Sequence, residues 1–251
     1  MPTPGDPEFY SFFATIMDKS RTTIGGMFDR IAPSYDLLNK VLSLYLDVLW
    51  RKKAVAHLAI RGDEQVLDIA TGTGDLALEA LKTGGACRVC GLDFSEKMIR
   101  VAAAKRDRLG LRSRYLLVAG DALRMPFKER SFDGAMVAFG VRNMPDVEGF
   151  FREAHRILRD GGRLAVLELS LPANPFIREC YLLYFKKFLP HIGGLLSGRS
   201  TAYHYLRDSV LDFYAPRQVE ELLCNSGFTV LRSIPLSFGV CHLYLAEKPS
   251  S

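Results

Sequence analysis

Between residues 66 and 170 the hydrophobic positions follow two alternating rhythms. Apolar runs of five to seven residues, at 66–70, 88–92, 115–119, 134–139 and 163–169, have the length and boundaries of buried strands. Apolar residues at three- and four-residue spacing predict helices over 75–83, 95–109 and 147–158. Ser95, three residues before Met98, suits a helix N-cap. Arg159-Asp160-Gly161-Gly162 suits a helix stop before the next strand. Upstream, 23–59 is helical and aromatic-rich, with a break expected at Pro33-Ser34-Tyr35-Asp36, and 1–22 reads as a flexible tail. Residues 171–215 interrupt the rhythm. A helix over 216–225, ending at Gly227, then leads to strands at 228–234 and 240–247. The link through Pro235 and Gly239 is too short for a crossover helix, so these two strands should form an antiparallel hairpin. Strand and helix in alternation predict an α/β fold, a mostly parallel sheet with helices on both faces.

Composition changes this picture little. The 251 residues and 48% hydrophobic content suit a globular chain with an ample core. Lys and Arg number 33 against 28 Asp and Glu, too mild an excess to argue for nucleic acid but compatible with an anionic membrane surface. Five scattered cysteines give no disulfide framework. Cys87 and Cys90 are three apart on a strand, so they should face opposite ways and pack rather than bind metal. No secretory signal or apolar run of roughly 18 residues is present, so a cytoplasmic protein, at most peripheral to a membrane, is expected.

The chemistry concentrates at Val66-Leu67-Asp68-Ile69-Ala70-Thr71-Gly72-Thr73-Gly74-Asp75, a strand turning through two glycines into a helix. Asp93 ends the next strand about 20 residues beyond the glycines, where an acid meets ribose in dinucleotide folds. A nicotinamide dinucleotide is one candidate. However, Asp68 and Asp75 flank the turn where a pyrophosphate would lie, and they suit a phosphate-free, cationic ligand better. The pattern resembles the class I S-adenosylmethionine-dependent methyltransferases. Asp68 to Gly74 matches their glycine motif, Asp93 their ribose acid, Gly120-Asp121-Ala122 their adenine-side motif, and Leu158-Arg159-Asp160-Gly161-Gly162-Arg163-Leu164 the approach to the fifth strand. The resemblance implies a Rossmann-like, seven-stranded sheet and S-adenosylmethionine as cofactor. It implies cofactor contacts from Asp68, Gly72, Thr73, Gly74, Asp75, Asp93, Asp121 and Ala122.

The flanks resemble a narrower family, the C-methyltransferases of menaquinone and ubiquinone biosynthesis. Phe28-Asp29-Arg30-Ile31-Ala32-Pro33-Ser34-Tyr35-Asp36 and Phe139-Gly140-Val141-Arg142-Asn143-Met144-Pro145-Asp146 carry it, with Leu167-Glu168-Leu169-Ser170 and Tyr203-His204-Tyr205-Leu206 further on. Bulk at Asp212-Phe213-Tyr214-Ala215-Pro216, and Ala138 where some members have serine, depart from the pattern. The family methylates a ring carbon of a polyprenylated quinol, here demethylmenaquinol by preference, with a methoxy-benzoquinol as the alternative. A quinol carbon becomes strongly nucleophilic when the neighbouring hydroxyl loses its proton. Arg142 offers fixed positive charge for that oxygen, Asn143 can orient it, and Tyr35 or a water can relay the proton. An ion pair between Arg142 and Asp146 is the competing, purely structural expectation.

The resemblance divides the chain into a helical cap over 23–59, a cofactor core over 60–170, a substrate lid over 171–215 and a closing helix and hairpin over 216–251, one domain in all. The quinol and a membrane surface are the expected partners. A homodimer is compatible with the sequence, and neither nucleic acid nor a metal is expected. His191 and His204 are read as packing or solvent-facing. A methyltransferase acting on another small or lipid acceptor, and a non-catalytic scaffold subunit, are the rival readings. The intact acids oppose the scaffold, and Arg142-Asn143 opposes the other acceptor.

Overall fold

The computed structural model describes residues 26, 28–30, 32, 35–85, 87–184 and 201–250. The expectations for the tail, for the Pro33-Ser34 break and for His191 fall outside them. Helices α1 (Tyr35–Leu42) and α2 (Leu46–Leu58) precede β1 (Gln65–Ile69). There follow α3 (Asp75–Thr83), β2 (Arg88–Asp93), α4 (Glu96–Arg108), β3 (Tyr115–Ala119) and β4 (Phe132–Ala138). A 3-10 turn (Val141–Asn143) leads to α5 (Val147–Ile157), β5 (Leu158–Leu169), α6 (Pro175–Leu183), α7 (Thr201–Leu211), α8 (Pro216–Asn225), β6 (Thr229–Leu236) and β7 (Cys241–Glu247).

The seven strands form one sheet in the order β3-β2-β1-β4-β5-β7-β6. β1 to β5 pair in parallel, and β7 runs antiparallel between β5 and β6, which gives the expected hairpin. Strand residues alternate between two cores. Leu67, Ile69, Ala135, Val137, Leu164 and Val166 join Phe150, Phe151, Val219 and Leu223 from α5 and α8. Val66, Val89, Met136, Ala165 and Leu167 join Trp50, Val55, Leu76 and Leu81 from α2 and α3 on the other face. Both faces are covered, which is why the strands read as continuous apolar runs rather than as half-polar ones. Cys87 and Cys90 fall in opposite cores, both buried and free.

Strand order reverses between β2 and β4 around β1, and the carboxyl ends of these strands open a crevice where ligands bind in open α/β sheets. Ser95 caps α4 by accepting from the Met98 N–H at 3.2 Å. Two local features differ from the expectation. The chain breaks between α1 and α2 at Leu44 and Tyr45, whose φ values of 52° and 64° are left-handed. Such a conformation costs an L-residue about 1–2 kcal/mol. α5 does not stop on a glycine: Leu158 turns directly into extended backbone and pairs with Phe132, so β5 starts five residues before Arg163. Among the described residues no helix is long and apolar enough to cross a membrane.

Candidate active site

The acids at the strand ends meet in one cavity of about 470 Å³, lined by Gly72, Asp93, Asp121 and Ala122 together with Tyr35, Phe139 and Asn143. Asp93, the last residue of β2, is buried. Its carboxylate accepts from the N–H groups of Gly72 and Ser95, both at 2.8 Å. Burial pushes its pKa up to about 6, against these two bonds and with help from the nearby Asp29 charge. Gly72 has φ 56°, and a Cβ there would lie 4.0 Å from the Tyr35 ring, so the missing side chain keeps the passage between loop and ring open. Asp121 and Ala122 follow β3 across the same cavity, and the Asp121 carboxylate accepts from the Leu123 N–H at 3.0 Å.

Asp68, Thr73 and Asp75 border a smaller recess of about 30 Å³ that shares Tyr35, Ala70, Gly72 and Ala138 with the main cavity. Asp68 accepts from the Thr71 hydroxyl at 2.5 Å and the Ala77 N–H at 3.2 Å. Burial raises its pKa to about 7 despite those donors. Thr73 donates to Asp36 on α1. Asp75 is ion-paired with Lys105 at 2.6 Å and lies 3.9 Å from Arg51, so it belongs to a charged cluster tying α1 and α2 to α3 and α4. Gly74 lines neither space. A Cβ on it would come within 2.8 Å of the Tyr115 hydroxyl, so packing against Tyr115 requires its small size.

The expected Arg142–Asp146 ion pair is not formed. Asp146 caps α5 through the Gly149 N–H at 2.8 Å. Arg142 instead pairs with Glu168 on β5 at 2.6 Å, and also donates to the Phe139 carbonyl at 2.7 Å. Glu168 is wholly buried and accepts further from the backbone N–H groups of Arg142 and Leu169. Burial works to lower the Arg142 pKa, yet the Glu168 carboxylate, together with Tyr35 and Tyr205, outweighs it and holds the guanidinium above its ordinary value. Nε of Arg142 is buried with no hydrogen-bond partner. Asn143 donates to the Phe139 carbonyl at 3.3 Å and accepts from the Tyr205 hydroxyl at 3.0 Å. Burial pushes the Tyr205 pKa up to about 12.

Arg142 lines a second, mostly apolar cavity of about 230 Å³. Asn39, Leu42, Leu46 and Trp50 come from the N-terminal helices, Tyr181 and Tyr184 from α6 and the residue after it, and Leu206 from α7. Tyr35 and Phe139 belong to the linings of both cavities, so the residues predicted to be catalytic stand where the two spaces adjoin. Arg51 was not anticipated. It pairs with Asp47 at 2.5 Å, and its guanidinium lies 5.5 Å from the Phe139 ring centroid. The i,i+4 spacing of Asp47 and Arg51 was the available signal. Glu168 was legible only as part of a motif, with nothing to name its partner.

Comparisons with known proteins bear on the family and the fold. The model of the ubiE/COQ5 methyltransferase family matches residues 16–248. The demethylmenaquinone methyltransferase of Thermus thermophilus is 41% identical over 223 residues, covering 89% of this chain and 100% of that protein. The ubiquinone/menaquinone biosynthesis C-methyltransferase UbiE of a Geobacter species is 40% identical over 226 residues, 90% of this chain and 96% of its own. Among solved structures, the [4+2]-cyclase SpnF superposes with a TM-score of 0.70 at 18% identity, covering 92% and 97% of the two chains. A SAM-dependent methyltransferase from Aquifex aeolicus gives 0.59 at 18%, covering 79% and 89%. These structures support the Rossmann-like fold alone, whereas the extent of the family match and the identity of the relatives decide membership: the chain belongs to the ubiE/COQ5 methyltransferase family.

Proposed function

We propose that the protein transfers a methyl group from S-adenosylmethionine to a ring carbon of a polyprenylated quinol, demethylmenaquinol by preference, with 2-methoxy-6-polyprenyl-1,4-benzoquinol as the alternative acceptor. The observation that carries this reading is the pair of adjoining cavities. One is lined by acids at strand ends, the other is apolar, and Tyr35 and Phe139 belong to both. The names of the relatives agree with both acceptors, and the preference follows the Thermus relative.

When bound, the cofactor supplies an electrophilic sulfonium methyl. Asp93 accepts from the two ribose hydroxyls, Asp121 and the Ala122 backbone take the adenine edge, and Gly72 leaves room for the chain between. Asp68, Thr73 and Asp75 border the amino-acid end, where the Asp68 and Asp75 carboxylates favour an ammonium. Arg142 stabilises the quinol oxyanion, Glu168 holds its guanidinium in place, and Asn143 orients the oxygen. Tyr35 or a water relays the proton; burial pushes the Tyr205 pKa up to about 12, so that hydroxyl keeps its own proton and is a poor base. A water-poor pocket favours this chemistry, in which an anion and a cation become neutral products. Positioning can contribute about 7–11 kcal/mol. The stretches over 23–59 and 171–215 act as cap and lid over the acceptor, which brings its tail from a membrane surface. Neither acceptor reading depends on a second subunit.

The test is to follow label from S-adenosylmethionine into lipid with reduced demethylmenaquinone, then with the benzoquinol. Transfer to the first is expected, and transfer to neither sinks the reading. The two raised acids give a second expectation. Their folded pKa values lie above the unfolded ones, so the free protein holds extra protons between about pH 4 and 7, and the stability they confer is lost as pH rises through that window. A cationic ligand that favours the carboxylates reverses this. Cofactor binding should therefore release protons near pH 6, and calorimetric heats should vary with the ionisation enthalpy of the buffer there but not at pH 8.5. Buffer-independent heats at pH 6 contradict the assignment.

A further inference from the structure

The second cavity is bordered by two turns that present bulky apolar residues outward. Ser43, Leu44 and Leu46 of the α1–α2 turn line it on one side, and Val240, just after the β6–β7 turn, lines it as well. The Trp50 indole N–H donates to the Ser237 hydroxyl at 2.9 Å and ties α2 to the β6–β7 turn. Leu44 is 74% exposed, Tyr45 61% and Phe238 82%. All three have left-handed backbone, with φ of 52°, 64° and 60°. That conformation favours glycine or asparagine, and solvent-facing leucine, tyrosine and phenylalanine gain nothing there from the chain's own core. Gly239 packs against Pro172, and shortly beyond Pro172 the first turn of α6 carries Phe176, also exposed.

The exposed face of α2 continues from Tyr45 through Leu49 to Lys52 and Lys53, at helical spacing. The only acid of this helix, Asp47, is buried and paired with Arg51, so the exposed face is apolar and then basic, with no exposed carboxylate. Tyr45 to Lys52 spans about 10 Å of helix. Interfacial segments bury apolar residues about 5–10 Å into the headgroup boundary while lysines stay at headgroup level.

We infer that the α1–α2 and β6–β7 turns form a wedge that inserts Leu44, Tyr45, Leu49 and Phe238 into an anionic lipid surface, with Lys52 and Lys53 on the headgroups and the second cavity opening toward the bilayer between them. The inference rests on the proposed lipid acceptor, since the wedge places that cavity where a prenyl tail would leave the membrane. The sign of charge selects lipid over a second copy of this chain, because the α2 face carries lysines and no exposed acid to meet them.

The test uses the full chain with vesicles of phosphatidylcholine, with and without phosphatidylglycerol. The variant is Tyr45→Asn with Phe238→Asn. Neither residue lines a cavity, and asparagine tolerates left-handed backbone, so folding is preserved or improved. Leu44 is left in place because it lines the cavity. The wild type should sediment with anionic vesicles, less so as salt rises. The variant should bind at least tenfold more weakly, with unchanged turnover of a short-tailed quinol in detergent and a reduced rate on a long-tailed quinol in vesicles. Lys52→Ala with Lys53→Ala should lose the salt dependence. Equal vesicle binding by wild type and variant overturns the wedge, as does a wild type that binds no anionic vesicle at low salt. So does a variant whose only change is in oligomeric state, which would assign the face to a second copy. Turnover of the short-tailed quinol reads the acceptor assignment separately, so a failed wedge and a failed function are told apart.

Discussion

Asp93→Ala should lower S-adenosylmethionine affinity by roughly 10²-fold or more. A carboxylate on vicinal hydroxyls accepts two charge-assisted hydrogen bonds, each worth about 1.5–3 kcal/mol, and a tenfold change is about 1.4 kcal/mol. Asp93 also holds the Gly72 and Ser95 N–H groups, so the alanine variant loosens the glycine turn as well. Asp93→Asn separates the two effects. It keeps the shape of the side chain and can still accept one backbone bond, so the part of the loss that persists is owed to charge. Titration calorimetry on both variants reads this directly, and an unchanged affinity in Asp93→Ala removes the ribose assignment.

The second large effect is on turnover. Arg142→Leu should lower kcat by roughly 10²–10³-fold, the usual scale for removing one donor to a developing oxyanion. Its affinity for the cofactor should stay within about threefold, because Arg142 lines the second cavity and not the first. The variant also leaves Glu168 charged, buried and without its counter-ion, which costs about 3–5 kcal/mol of stability. Arg142→Leu combined with Glu168→Gln resolves the ambiguity. The glutamine removes the unpaired buried charge and keeps an amide oxygen to accept from the Arg142 and Leu169 N–H groups, so the double variant should recover much of its melting temperature and still not turn over. Recovery of activity along with stability would make the pair a structural strut and end the oxyanion assignment. Equal losses of cofactor affinity and kcat in the single variant would do the same.

The parallel core was readable because its central strands are covered on both faces, so β1, β2 and β4 appear in the sequence as unbroken apolar runs close to their observed limits; β3, at the sheet edge, reads the same way although Leu116 is exposed. α3, α8 and the Ser95 cap were readable because their ends obey local rules. The failures share a cause. Leu44 and Tyr45 carry no turn signal, and their left-handed backbone is imposed by how α1 and α2 pack, not by their own preference. β5 begins early because Leu158 finds a partner in Phe132, which no local pattern encodes. In the site, Asp68, Asp93 and Asp121 could be placed because each ends, or closely follows, a strand whose position the periodicity defines. Gly74 packs against Tyr115, which the sequence did not reveal, because a glycine beside a ligand and a glycine beside a tyrosine look alike in a sequence. Arg142 stood out in its motif, but Glu168, 26 residues away on the neighbouring strand, was visible as its partner only once β4 and β5 lay side by side.

Tyr35 and Phe139 stand in the linings of both cavities, and α1, which carries Tyr35, is held to the core through Asp36, Thr73 and Lys105. Two ligands that touch the same two rings are thermodynamically linked. Whatever free energy the first spends or gains in settling those rings is felt by the second, and the factor by which cofactor changes acceptor affinity must equal the factor by which acceptor changes cofactor affinity.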